Sequence, residues 1–249
     1  MSTASELPAI RLRDIVSAEV SKILTHPTTL VALALAAAAN TLFAAVAASE
    51  VVRFGAGDDL APLSAFALVM FAPVYAFLLI PVSATGSEYH GGQFRITLAA
   101  VPDRGRLACG KFLAMTAVVI PVAAAVLAPG RVVIGLSDGL STGAVALDLG
   151  RWVLAYTAMS VIAFGLAAVL RSTVAPLAVF VVVAVFAGGG FVQWPEGVRF
   201  LPDQASMSLL GTPAFEVTEI APATAALTLA VWALASLAAY ALSLMRRDA

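Results

Sequence analysis

Few residues in this chain have the types and spacing to do chemistry. Gly105-Arg106-Leu107-Ala108-Cys109-Gly110-Lys111 spells GxxxxGK, most of a phosphate-binding loop. The next residue is Phe112, where such a loop needs a Ser or Thr hydroxyl for magnesium, and no apolar strand leads into it. These glycines read as loop residues and Lys111 as a membrane-flanking charge. Cys109 is the single cysteine, and a lone thiol at a helix end reads as inert. The two histidines, His26 and His90, fall in separate segments with no cysteine set beside them, so no zinc-ligand spacing exists. The spans hold no paired acids, and the sequence has no HExxH. It reads as a non-catalytic chain with no cofactor of its own.

The elements that must carry these residues are membrane spans. Of 249 residues, 61% are apolar and 12% charged, against roughly 45–50% and 25% in ordinary soluble domains. That excess excludes a soluble enzyme and a disordered chain. One cysteine excludes a disulfide scaffold, and a net charge of −1 gives nucleic acid no reason to bind. Six apolar segments follow, at about 28–48, 62–84, 111–129, 152–170, 174–192 and 221–245, each near the ~20 residues a span needs. Runs so long and free of central charge must be helices, since a helix alone satisfies its own backbone in lipid. The expected fold is therefore all-α: a polytopic membrane protein of six transmembrane helices in one domain.

With the N-terminus inside, ten Lys and Arg fall on the inner side and four on the outer, Arg53, Arg131, Arg151 and Arg199. By the positive-inside rule both termini are cytoplasmic. Trp152 and Trp194 fall at outer span ends, as an aromatic belt requires, whereas Trp232 sits near mid-span. Residues 10–25 read as an amphipathic helix in the inner interface, with Leu12, Ile15, Val16, Val20, Ile23 and Leu24 on one face. His26-Pro27 breaks it before the first span. The first residues are polar and the apolar run behind them is too long for a signal peptide.

The inner loop at 85–110 carries more than a linker needs. Glu88, Tyr89 and His90 precede Gly91-Gly92, then Phe94, Ile96, Leu98 and Val101 alternate with Arg95 and Thr97. A short helix from about Gly92 to Pro102 places Phe94, Leu98 and Val101 at i, i+4, i+7. Such a face either enters a groove on a cytoplasmic partner or folds back on its own bundle.

The order of Glu88-Tyr89, two residues, Gly92, then Arg95-Ile96-Thr97-Leu98, Pro102, Arg104, Arg106 and Lys111 resembles the cytoplasmic loop of ABC-2 type transporter permeases. His90 and Gln93 depart from the basic residue and threonine that pattern expects. The resemblance implies a coupling helix between spans two and three, touching a separate ABC ATPase through Glu88, Tyr89, His90, Gly92, Phe94, Arg95, Thr97, Leu98, Pro102 and Arg104. It implies a bacterial cell-membrane exporter with two permease chains, identical or homologous. Two ATPase copies would bind the ATP and Mg.

Spans two and five would border the path, giving Asn40, Phe71, Tyr75, Phe180 and Phe186 as candidate contacts for an apolar or amphipathic cargo. Asn40 also reads as interhelical glue. The segment at 193–220 reads as an extracellular loop, either a plain cap or re-entrant. Two other classes compete: an ion-coupled secondary transporter, and a membrane scaffold that moves nothing. The first is disfavoured because no acid lies within the spans.

Overall fold

The computed structural model describes residues 10–54, 61–89 and 93–246. Twelve helices in these residues build one bundle. Helix α1 (Leu12–Thr25) starts where Asp14 reaches back to accept from the Arg11 backbone N–H at 2.9 Å. Helix α2 (Pro27–Ser49) follows without a loop. Pro27 suits its first turn, and His26 Nδ1 accepts from Thr28 N. The chain then makes a two-residue antiparallel pair, Arg53–Phe54 with Ala61–Pro62.

The second apolar segment is a broken helix: α3 (Ala67–Phe71), α4 (Pro73–Phe77) and α5 (Leu79–Gly86), closed by a 3-10 turn at Ser87–Tyr89. Pro73 and Pro81 lack the N–H that would continue the ladder, and their rings crowd the carbonyls four residues back. After α6 (Gln93–Ala100), helix α7 (Arg104–Ser137) runs 34 residues, capped by Asp103, which accepts from Arg106 N at 3.0 Å. Helix α8 (Thr142–Leu170) returns, and α9 (Ala175–Gly188), α10 (Pro195–Val198), α11 (Pro202–Leu209) and α12 (Pro222–Arg246) complete the chain.

Five stretches are long and apolar enough to cross a membrane: Pro27–Ser49, Ala67–Tyr89, Arg104–Ser137, Thr142–Leu170 and Pro222–Met245. That is the architecture of an all-α, multi-pass membrane protein. The third and fourth are longer than the 111–129 and 152–170 expected, because each continues as helix beyond its apolar run. The segment at 174–192 is the exception. Its helix is α9, 14 residues, about 21 Å at the usual rise against about 30 Å of hydrocarbon. The glycines end it: Gly189 caps it and Gly190 turns to φ +73, a conformation that favours glycine.

The bundle alternates up and down. At one end lie α1, the 3-10 turn, the start of α7, and Arg104 Nη1 donating to the Leu244 carbonyl at 2.9 Å. At the other lie Ser137 Oγ donating to the Ala48 carbonyl, and Arg131 Nε paired with Asp148 at 2.5 Å. Helix α9 reaches from one end toward the other. The Ser172 carbonyl before it lies against Gly86, and its own Gly188 packs on Leu68.

The tryptophans also differ from expectation. Trp152 is no belt residue: it is 4% exposed, ten residues into α8, beside Phe71 and Tyr156 with Arg131 over its ring. Trp232 has a role at mid-span. Its Nε1 donates to the Phe200 carbonyl at 2.8 Å, pinning the 193–220 segment to α12. Trp232→Phe removes that donor and costs about 1 kcal/mol, read as a lower unfolding midpoint in detergent.

Candidate functional site

Helix α1 aligns Ile15, Glu19 and Ile23 at i, i+4, i+8 on its buried stripe. Leu12 and Leu24, at the ends of the apolar face, stay partly exposed, while Val16 and Val20 pack against the core. The buried stripe is set by α7, on which α1 packs and where Gly110 leaves room for Ile15. A side chain at Gly110 would begin 2.6 Å from the Ile15 Cγ2.

That packing drives a carboxylate inward. Glu19 is 8% exposed, Glu88 1% and Lys111 3%. Lys111 Nζ donates to Glu19 Oε1 at 2.8 Å and to Glu88 Oε1 at 2.7 Å. Lys22, more exposed, pairs with Glu88 and stands 3.8 Å from Glu19. Two acids and two lysines thus balance, joining α1, the end of the second apolar segment and the start of α7. The GxxxxGK glycines and Lys111 are all helical, which is no phosphate cradle.

The loop residues named from the sequence divide here. Glu88 faces inward and is spent on the lysines. Tyr89 is half-buried under the Arg171 guanidinium, 5.6 Å from its ring centre. His90 and Gly92 lie outside the described residues. Phe94 and Arg95 belong to the backbone of α6, and their side chains are likewise outside the description. Thr97 bonds back to the Gln93 carbonyl. Leu98 packs against the core instead of facing out. Pro102 is exposed ahead of the α7 cap, and Arg104 ties to α12. The residue that faces out is one the sequence reading did not select: Ile96, 71% exposed. An apolar side chain that prominent on a short helix is its best signal.

The path residues divide too. Asn40 joins α2 to α8, accepting from the Tyr156 hydroxyl at 3.2 Å and donating to the Ala36 carbonyl at 2.8 Å, which is the geometry of interhelical glue. Phe71 is 1% exposed in the core, against Tyr156. Phe186 is exposed beside Phe191. Phe180 lines a cavity of about 280 Å³ between α8, α9, α12 and the start of α11, and Phe186 lines another of about 310 Å³ beside Trp194 and Val198. Tyr75 is half-buried, with a hydroxyl that has no hydrogen-bond partner.

Within the 193–220 segment all eight residues of α11 are buried, packed against α12 and α8. That helix brings Asp203 inside, 3% exposed. Burial pushes its carboxyl above the usual carboxylate range, against hydrogen bonds from Gln204 that pull it down. Asp203 falls in the 193–220 segment, which reads from the sequence as an extracellular loop. No family model matches the chain, and no curated protein matches it.

Proposed function

We propose that this chain is the permease subunit of an ABC-2 type exporter: a non-catalytic membrane chain, working as a pair and driven by two copies of a separate ATPase that binds ATP and Mg. The observation that carries the reading is the placement of α6. It holds Ile96 out from the bundle and packs directly on the 3-10 turn whose Glu88 enters the four-charge cluster. A push on α6 passes through that turn to Lys111 and Glu19, and so to α7 and α1 together. A buried, hydrogen-bonded cluster transmits such a push because it has no slack to absorb it.

In this reading the cluster end is cytoplasmic, as the ten-to-four distribution of basic residues favours. Both termini are then inside the bacterial cell membrane, α9 makes the sixth crossing, and α11 re-enters from outside. The cargo is apolar or amphipathic.

The test uses the permease purified in mild detergent with its ATPase, then reconstituted. Ile96→Glu lowers ATP-driven transport about tenfold, the effect of losing ~1.4 kcal/mol of docking, while the permease stays folded. An unchanged rate sinks the docking role of α6, and the absence of any co-purifying ATPase sinks the reading itself. Glu88 is a poor probe, because reversing its charge breaks the cluster as well as any contact. One observation favours a second reading: the buried Asp203 supplies the inward acid an ion-coupled carrier needs. Transport in ATPase-free vesicles driven by a proton gradient alone identifies that case.

A further inference from the structure

The cavity between α8, α9 and α12 has walls of hydrocarbon, among them Ile162, Leu166, Phe180 and Leu201. One ionisable group belongs to its lining, Asp203. No cation among the described residues answers the carboxylate, although the backbone N–H groups of Asp203 and Gln204 also favour its charge. Gln204 Nε2 donates to Oδ2 at 3.1 Å, and Oδ1 has no hydrogen-bond partner. Among the described residues no Lys or Arg pairs with it. Beside it on α11, Gln204 Oε1 and Ser208 Oγ are buried without partners too.

Its place in the first turn of α11 explains part of the preference for an acid, since the helix dipole favours negative charge there. That account is incomplete, because Oδ1 is buried without a hydrogen bond of its own. A buried carboxylate without a cation is costly unless it is protonated or a cation arrives. Two aromatic rings line the same cavity, Phe180 and Trp232, and ring faces attract cations. The volume of about 280 Å³ is at the lower edge of ordinary ligand sites, enough for one ring or a short branched chain.

We propose that this cavity binds a lipophilic monocation, an ammonium group on an apolar body, with Asp203 as its counter-charge. The apolar body replaces lipid or void along α8, α9 and α12, and the cationic head sits at the α11 end of the cavity, where Asp203 lines it. This names the cargo class if the transport reading holds, yet binding is measured without ATPase or transport, so either result stands when the other fails.

The experiment uses the full chain in detergent micelles. The probe is radiolabelled benzyltrimethylammonium, compared with its uncharged isostere neopentylbenzene, by equilibrium dialysis. The expected result is saturable, one-to-one binding of the cation, weakened about tenfold or more by Asp203→Asn, with neopentylbenzene bound weakly and equally by both proteins. Val179→Trp, at the exposed rim of the cavity, abolishes binding while the protein still elutes as a single folded species. This second variant keeps the test decisive where Asp203→Asn fails to fold. Unsaturable binding of the cation overturns the proposal. So does equal affinity of the unaltered protein for cation and isostere, or cation binding that survives in a folded Asp203→Asn or Val179→Trp protein.

Discussion

Lys111→Met destabilises the folded chain by about 3–5 kcal/mol, the usual cost of removing one member of a buried ion pair. The size comes from what is left behind. Lys111 Nζ sits between Glu19 Oε1 and Glu88 Oε1 at 2.8 and 2.7 Å, and methionine fills its volume without its charge. Two carboxylates then share a dry site with Lys22 alone, whose side chain is 35% exposed and partly held by water. Helices α1 and α7 and the 3-10 turn after α5 are all joined there, so the loss appears in global unfolding and not as a local fray.

The midpoint of unfolding in detergent measures it. Adding Glu88→Gln to Lys111→Met restores more than half of the loss, because one of the two unanswered charges is gone. A single-variant loss below about 1 kcal/mol, the scale of an exposed pair, would show that water reaches the lysine and that the cluster transmits nothing.

Much of this bundle was legible in the sequence, and the parts that were not share a cause. The spans follow from composition, because hydrocarbon demands long apolar runs whatever their neighbours. The break at His26-Pro27 and the helix before Pro102 follow from local backbone chemistry. What escaped was the rotation of helices and the destination of their few charges. Glu19 lay between Ile15 and Ile23 on the stripe that a period of 3.6 would bury, and that anomaly was the available signal. Its partner could not be found from α1, since Lys111 is 92 residues away.

Asp203 was hidden for a different reason. An acid ten residues into a predicted extracellular loop reads as solvated, and only the packing of α11 into the bundle reverses that. The triple glycine at 188–190 was visible, but composition alone counts the apolar residues on both sides of it as one span. Spacing leaves open whether Leu98 meets a partner or its own bundle, and it packs on the core while Ile96 stands out, because a short helix with two apolar faces takes its rotation from the turn that holds it.

Gly165→Ala costs about 2 kcal/mol, whereas Gly150→Ala in the same helix gains up to about 1 kcal/mol. Intrinsic propensity favours alanine over glycine in a helix interior by 0.8–1.0 kcal/mol or so, so both substitutions begin with the same gain. At Gly150 nothing lies within 4 Å of the added methyl, and the gain survives. At Gly165 the methyl would stand 2.5 Å from the Ser236 carbonyl oxygen and 2.8 Å from its carbon. Those are backbone atoms of α12, with no rotamer to yield. Relief requires α8 and α12 to move apart, and overpacking of this kind costs typically 1–3 kcal/mol or more.

In lipid the consequence is direct, since helices there associate by close packing of small residues and not by escape from water. The same separation reaches the cavity, because Gly165 and Ser236 both line it beside Phe180. Unfolding midpoints of the two variants in one detergent separate the effects. Opposite signs assign the cost to the α8–α12 contact. Equal signs would show that propensity alone decides both positions and that the two helices have room to spare.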